Sequence, residues 1–275
     1  MTDDSLIEVE QVERVRVIRL NCPAKLNAFN DELAKQFGDA LEAANADPSV
    51  GAIVTTGNGR AYSAGNDRAE PLGSTTGDDD LSSAHRAFNH EYIMQLKPII
   101  AAVNGISIGI GLTSSLLYDT IIASTEARFS MRFAAIASVP ELGSAWLLPK
   151  IIGFHRAQEM VLTGRIYDAE EARDLGLVRR VVEPEQLLPE AIALAQEIAK
   201  NPESALRRIK KVMWQELRIG GDEGTWQRST GYLREARQDA EYREGILSFL
   251  EKRDPRYHDE AHMAALRAEL DAEGS

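Results

Sequence analysis

The sequence predicts an α/β fold with a helical C-terminal region, and three observations carry that prediction. Up to Val182, short apolar or alternating runs are followed repeatedly by segments of helical period, the rhythm of a mainly parallel sheet with crossover helices. After Val182 the strand signals stop and helical patterns follow one another. The 275 residues are 44% hydrophobic and 27% charged, with Gly 20 and Pro 10, close to globular averages, which excludes disordered, collagenous and low-complexity classes.

Leu6 to Val12 and Val15 to Leu20 alternate with period two, as paired half-buried strands do. Asn30 then caps a helix through about Asn45 that carries Leu33, Phe37, Leu41 and Ala44 on one face. Gly51 to Gly57 is a buried strand, Ser82 to Leu96 a helix, Ile99 to Val103 a strand, Gly111 to Tyr118 a short helix and Thr120 to Ala123 a strand. Pro184 to Lys200, Pro202 to Leu217 and Asp222 to Lys252 are helical, with Gly220-Gly221 as the break, and Glu260 to Glu273 is a further amphipathic helix. A helical tail of this length either packs part of its apolar face on another subunit or forms an intrachain lobe. Gly73 to Asp80 is polar and glycine-bearing with nothing to bury, so it reads as a mobile loop, either a lid or a tolerated insertion.

Lys+Arg 31 against Asp+Glu 43 gives a net charge of -12, which opposes nucleic-acid binding over any extended surface. No apolar run approaches the roughly 20 residues of a membrane span. The start Met1-Thr2-Asp3-Asp4 is acidic where a secretion signal is basic, so the expected compartment is the cytoplasm. The single cysteine, Cys22, has no disulfide partner and no zinc-type ligand set beside it, and no metal is expected. Of the five histidines, only His258 and His262 have ligand-like spacing, and near the terminus they read as solvated residues. Dinucleotide, Walker, zinc-protease and serine-hydrolase signatures are absent.

Two glycine-flanked segments that follow strands remain: Arg60-Ala61-Tyr62-Ser63-Ala64-Gly65-Asn66-Asp67 and Asn104-Gly105-Ile106-Ser107-Ile108-Gly109-Ile110-Gly111. Small residues there let a ligand approach the backbone, and N–H groups at a helix start favour developing negative charge. Each segment alone is also what an ordinary tight turn requires.

Together and in this order they resemble the crotonase superfamily, the enoyl-CoA hydratase/isomerase family. Asn21-Cys22-Pro23-Ala24-Lys25-Leu26-Asn27-Ala28 is similar to the family's N-R-P-x-x-x-N-A turn, and Ser63-Ala64-Gly65-Asn66-Asp67 to A-A-G-x-D. Tyr118-Asp119 sits where the family has C-D, and Phe249-Leu250-Glu251-Lys252-Arg253 resembles F-x-E-K-R. The resemblance implies a spiral of strand-strand-helix repeats over residues 1–200 that holds an acyl-CoA site, and a C-terminal helical trimerisation region over 201–275. It implies a homotrimer or a dimer of trimers, and no cofactor beyond coenzyme A as part of the acyl thioester substrate.

The same resemblance implies an oxyanion hole from the backbone N–H groups of Ala64 and Ile110. Loss of such a donor costs on the order of 10²-fold or more in rate. Ile110 departs from the family's usual glycine. Coenzyme A contacts are implied at Lys25 and Leu26, at Ala61 and Asp67, and at Phe249 and Lys252 of a neighbouring subunit; a solvated helix charge is the other reading of Lys252. The two glutamates that hold water in the family's hydratases fall on Thr113 and Phe133, which cannot serve as acid and base.

Val139-Pro140-Glu141-Leu142-Gly143-Ser144 resembles the P-E-x-G-S segment of one group of Δ3,Δ2-enoyl-CoA isomerases, where the glutamate is the base. With Phe133, Leu142 and Trp146 as neighbours, Glu141 is expected to be desolvated and its pKa raised. The alternative is a helix-start glutamate, opening a helix through Leu148, that gains about 0.3 to 1 kcal/mol from the dipole. The expected activity is isomerisation of a 3-enoyl to a 2-enoyl thioester, as in fatty-acid metabolism. Alternatives are hydration, other enolate chemistry (hydrolysis, dehalogenation or C–C cleavage) served by His85 or His90, and acyl-CoA binding without catalysis.

Overall fold

A computed structural model describes residues 5–69 and 87–273. The hydrophobic pattern of the first half resolves into two sheets. β1 (Ile7–Val12) and β2 (Val15–Leu20) pair antiparallel, and β2 continues in parallel through β3 (Ala52–Gly57), β5 (Ile99–Val103), β7 (Thr120–Ser124) and β10 (Arg180–Val182). β1 departs from the half-buried expectation: Ile7 is buried but Val9 is 50% exposed, on the edge strand of the sheet. β3 and β5 sit inside the sheet and are buried almost throughout, which is why their sequences are apolar without alternation.

The second sheet is β4 (Ala61–Ser63), β6 (Ile106–Ile108), β8 (Arg128–Ser130) and β9 (Tyr167–Asp168), parallel except for β9. Its strands are two or three residues long, too short to show a period, so the sequence does not reveal the sheet. Thr55 Oγ1 and Tyr62 Oη, 2.9 Å apart and buried, join β3 to β4. Burial pushes the Tyr62 phenol up to about 12, so it holds its proton at neutral pH.

α1 (Asp31–Ala46) begins as expected, with the Asn30 side chain accepting from the Leu33 N–H at 2.9 Å. It buries Leu33, Phe37, Leu41 and Ala44. Of the expected helix from Ser82 to Leu96, residues 82–86 lie outside the described residues, as does the Gly73 to Asp80 loop. The described part is helical at Ala87 and again over α2 (His90–Ile93), where the Asn89 side chain accepts from the Glu91 and Tyr92 N–H groups. α3 (Ile110–Ser115) follows β6, and α4 (Ser144–Ile152), α5 (Phe154–Thr163) and α6 (Ala169–Asp174) lie between β8 and β10. A capping box at Asp168 and Glu171 starts α6.

The chain divides into one compact unit up to Ile198 and a second from Ala199. After α7 (Pro184–Ala199), the second unit holds α8 (Glu203–Ile219), α9 (Thr225–Ala236), α10 (Ala240–Glu251) and α11 (Glu260–Glu273). The helix expected from Asp222 to Lys252 is two helices, because the chain turns at 237–239. Neither Gly nor Pro marks that turn; the Arg208–Asp239 ion pair at 2.5 Å comes from another helix and has no local signature. Ala240, Met263 and Leu266 form a core, with Leu247 and Leu270 packed against it. Below it, Glu244 is buried and accepts from Arg253 at 2.5 and 2.9 Å, from the Arg256 N–H at 2.6 Å, and bonds His262 Nε2 at 2.8 Å. His258 is exposed, as expected, with its Nε2 3.0 Å from the Ala199 carbonyl oxygen, whereas His262 is half-buried against Glu244 and is not the solvated residue expected.

Candidate active site

β4, β6 and β8 are parallel neighbours, so the segments that leave their C-terminal ends come together. That is where parallel sheets place their ligands. A cavity of about 780 Å³ is lined there by Asn66, Ile110, Arg132, Phe133, Ser138 and Glu141, among others. The two glycine-flanked segments and the Glu141 segment thus form one site within the first unit.

Close backbone packing joins the first two segments. A Cβ on Gly65, whose φ is +103°, would stand 2.9 Å from the Ile108 carbonyl oxygen, and one on Gly111 only 2.4 Å from the Ser63 carbonyl oxygen. Main-chain oxygens cannot move aside cheaply. Gly111→Ala is therefore expected to push α3 away from β4, lowering the melting temperature and cutting turnover by about tenfold or more. Unchanged melting and unchanged kcat/KM would contradict this packing.

The hydrogen bonds bear on one expected donor. The Ala64 N–H donates to the Leu26 carbonyl at 2.9 Å and is already engaged within the chain. Asn66 also lines the cavity. The Gly65 carbonyl accepts from the Phe29 N–H at 2.8 Å, and since the peptide is trans, the Asn66 N–H points opposite, away from Phe29. At α3 the Gly109 carbonyl accepts from the Leu112 and Thr113 N–H groups, so by the same geometry the Ile110 N–H points out of the helix start.

The early turn supports this arrangement. Leu26 and Asn27 are both left-handed, at φ 54°. Asn27 is buried; its Oδ1 accepts from the Cys22 N–H at 2.8 Å, and its Nδ2 donates to the Asn58 and Ala61 carbonyls at 3.0 and 2.8 Å. Lys25 and Asp67, both expected as coenzyme A contacts, pair with each other at 2.8 Å, and Asp67 lines the cavity. Arg68 beside them also lines it. Leu26 and Ala61 are not lining residues; Ala61 is buried in β4, and Leu26 acts through its carbonyl. Phe249, 80% exposed on α10, and Lys252, in the left-handed turn that ends it, belong to the second unit rather than to the unit that holds the cavity.

Glu141 lies three residues before α4, whose N-cap is Gly143, so it is not the helix-start glutamate of the alternative reading. Its carbonyl accepts from the Ser144 N–H and Oγ, at 2.9 and 2.6 Å, which fixes the turn. The carboxylate has no hydrogen-bond or ion-pair partner among the described residues. It opens on the solvent of the cavity, yet surrounding protein desolvates it and raises its pKa above the ordinary carboxylate range. Phe133 contributes to that wall. Leu142 and Trp146 do not line the cavity, and Trp146 instead has Lys150 Nζ 5.4 Å from its ring centre. Thr113 is buried and is not a lining residue, and neither is His90; His85 lies outside the described residues. Arg68, Arg132 and Asn66 do not stand out in the sequence, since a lone arginine or asparagine carries no spacing signal.

Among the described residues no cluster of His, Cys, Asp or Glu is placed to hold a metal ion, and no helix is long and apolar enough to cross a membrane.

Such a spiral core, with backbone donors at strand ends and a helical C-terminal region, defines a crotonase-type acyl-CoA enzyme. The chain belongs to the enoyl-CoA hydratase/isomerase family, whose family model matches residues 10–260. It is 34% identical over 248 residues to the 1,2-epoxyphenylacetyl-CoA isomerase of Escherichia coli, covering 88% of this chain and 94% of that protein. The crystal structure of enoyl-CoA hydratase from Bacillus anthracis matches with a TM-score of 0.82 at 30% identity, over 92% of this chain and 99% of that one. Enoyl-CoA hydratase from Mycobacterium tuberculosis matches with a TM-score of 0.81 at 28% identity, over 91% and 98%.

Proposed function

We propose that the protein is an enoyl-CoA isomerase that shifts a 3-enoyl thioester to the 2-enoyl form with Glu141 as the single base. The observation that carries this reading is one desolvated, unpartnered carboxylate in the cavity, with Thr113 and Phe133 at the positions where a hydratase needs its two acids. Hydration requires a base for the water O–H and an acid for the carbon; moving a double bond requires one carboxylate. Glu141 takes a proton from C2, the charge spreads to the thioester oxygen, and the same carboxyl returns the proton at C4. The N–H group of Ile110 would donate to that oxygen. Lys25 and Arg68 serve the phosphates of coenzyme A, which enters as part of the thioester; no other cofactor takes part.

The isomerase name of the E. coli relative agrees in reaction class, although other relatives are named hydratases. The reading also includes a homotrimer or dimer of trimers. The exposed apolar residues Met213, Trp226, Phe249 and Leu250 of the second unit would form its contacts, bringing Phe249 and Lys252 to a neighbour's coenzyme A. Sedimentation of a monomer at micromolar concentration would overturn this part.

A 3-enoyl-CoA incubated with the protein in deuterated buffer is expected to give the conjugated product and label at C2 and C4. Neither product nor label, with binding retained, overturns the reading. The base must be ionised, so kcat/KM is expected to fall as pH drops through the raised pKa of Glu141, placing the acid limb above the ordinary value of 4.5. An acid limb at or below 4.5 would remove desolvated Glu141 as its source.

A further inference from the structure

We propose that the acyl group this cavity accepts carries a second anionic group, a carboxylate remote from the thioester, held by Arg132 and Ser138. The inference rests on reading the cavity as an acyl-thioester site with Glu141 on its acyl side.

The chain is acidic, at -12, and several of its arginines are occupied by acids: Arg16 by Asp47, Arg228 by Glu216, Arg253 by Glu244. Arg132 has no hydrogen-bond or ion-pair partner among the described residues, and it lines the cavity. A cation in a concave wall of an otherwise negative molecule is a selective place for an anion. Ser138, on the same wall, has its N–H donating to the Phe133 carbonyl at 3.0 Å and its hydroxyl without a partner among the described residues. A guanidinium and a hydroxyl are a donor set for a carboxylate.

This arginine comes from a different segment of the chain than the residues read as coenzyme A contacts. Arg68 and Lys25 belong to the donor turn and the early turn, whereas Arg132 begins the segment after β8 that ends in Glu141. A base that works on C2 and C4 faces the acyl chain, and so does the wall that carries it. Arg132 also leaves the base functional: the Glu141 carboxyl is perturbed by burial and not by a neighbouring positive charge. The site can therefore bind an anion at Arg132 without an internal ion pair that would first have to break.

The test is binding of saturated thioesters, which have no double bond to move. Glutaryl-, adipyl- and suberyl-CoA are compared by calorimetry with pentanoyl-, hexanoyl- and octanoyl-CoA, on the full-length wild type, Arg132→Ala and Arg132→Lys. The expected result is that at least one dicarboxylic ester binds the wild type about tenfold or more tightly than its neutral counterpart. Arg132→Ala should erase that preference while neutral esters bind as before, which also shows the variant is folded; Arg132→Lys should keep part of it. No preference in the wild type overturns the proposal. So does an equal loss of both members of each pair in Arg132→Ala, which would put the arginine on the coenzyme A phosphates. Because no step of this measurement needs Glu141 to act, failure of the isomerase reading and failure of the Arg132 assignment give different results.

Discussion

Glu141→Gln is expected to lower turnover of a 3-enoyl-CoA by about 10²- to 10⁴-fold, the range over which a positioned general acid-base group contributes. The amide keeps the volume and the polar contacts of the side chain but cannot take a proton from C2. Glu141 does not take part in α4 and its side chain holds no ion pair, so the substitution has little to disturb in the fold. Binding of a saturated acyl-CoA should stay within a few-fold of wild type, and deuterium exchange at C2 should vanish with turnover. Retained turnover at the wild-type rate would remove Glu141 from the chemistry. Exchange that persists without product would leave it responsible for delivery to C4 alone.

Glu244→Ala is expected to destabilise the protein by about 1 to 3 kcal/mol, the cost of removing a buried acceptor shared by Arg253, His262 and the Arg256 N–H, while Arg253 keeps its pair with Glu251 at 2.6 Å. The Glu244 side chain is completely buried and accepts from Nη1 and Nη2 of Arg253 and from the Arg256 N–H; Arg253 also donates to Glu251 through Nε and keeps some solvent access, which limits the effect. Arg253 beside it, with His262 and the Arg256 N–H, holds the Glu244 carboxyl down to about 2, against 4.5 for an ordinary glutamate. A carboxyl with a depressed pKa stabilises the folded state when ionised. That stabilisation is present in full above pH 4.5 and is lost as pH falls through about 2. Denaturant midpoints measured on the full chain should therefore decline over that window, and Glu244→Ala should show a shallower decline. Equal slopes for variant and wild type would mean the cluster does not carry the linkage. Because Arg253 follows the left-handed Lys252, the same variant is expected to loosen the end of α10 that presents Phe249 and Lys252.

Much of the first sheet is legible in the residues alone. Its inner strands β3 and β5 are apolar because they are buried, and α1 announces itself through Asn30 and a four-residue apolar face. The helical character of the tail is equally plain, and Gly220-Gly221 marks a real break. The second sheet is not legible, since strands of two or three residues have no periodicity to read, although it is the sheet that builds the site. The site is half legible. Small residues in two segments signal backbone donors, but which N–H faces the cavity depends on the direction of single peptide planes, and Ala64 is turned to Leu26 while Asn66 is not turned to Phe29.

The sequence by itself determined the class of fold, the family, the absence of the two hydratase glutamates and the presence of Glu141 in a P-E-x-G-S segment, because each is a matter of residue type at a spacing. Tertiary structure alone decided that Glu141 is without a partner among the described residues and partly desolvated, that Lys25 is tied to Asp67, that Arg132 shares the cavity with Glu141, and that Glu244, Arg253 and His262 meet. Those facts depend on which side chains from distant segments come within a few ångströms of each other, and a carboxylate's basicity or an arginine's freedom to take an anion is set by that neighbourhood rather than by its place in the chain.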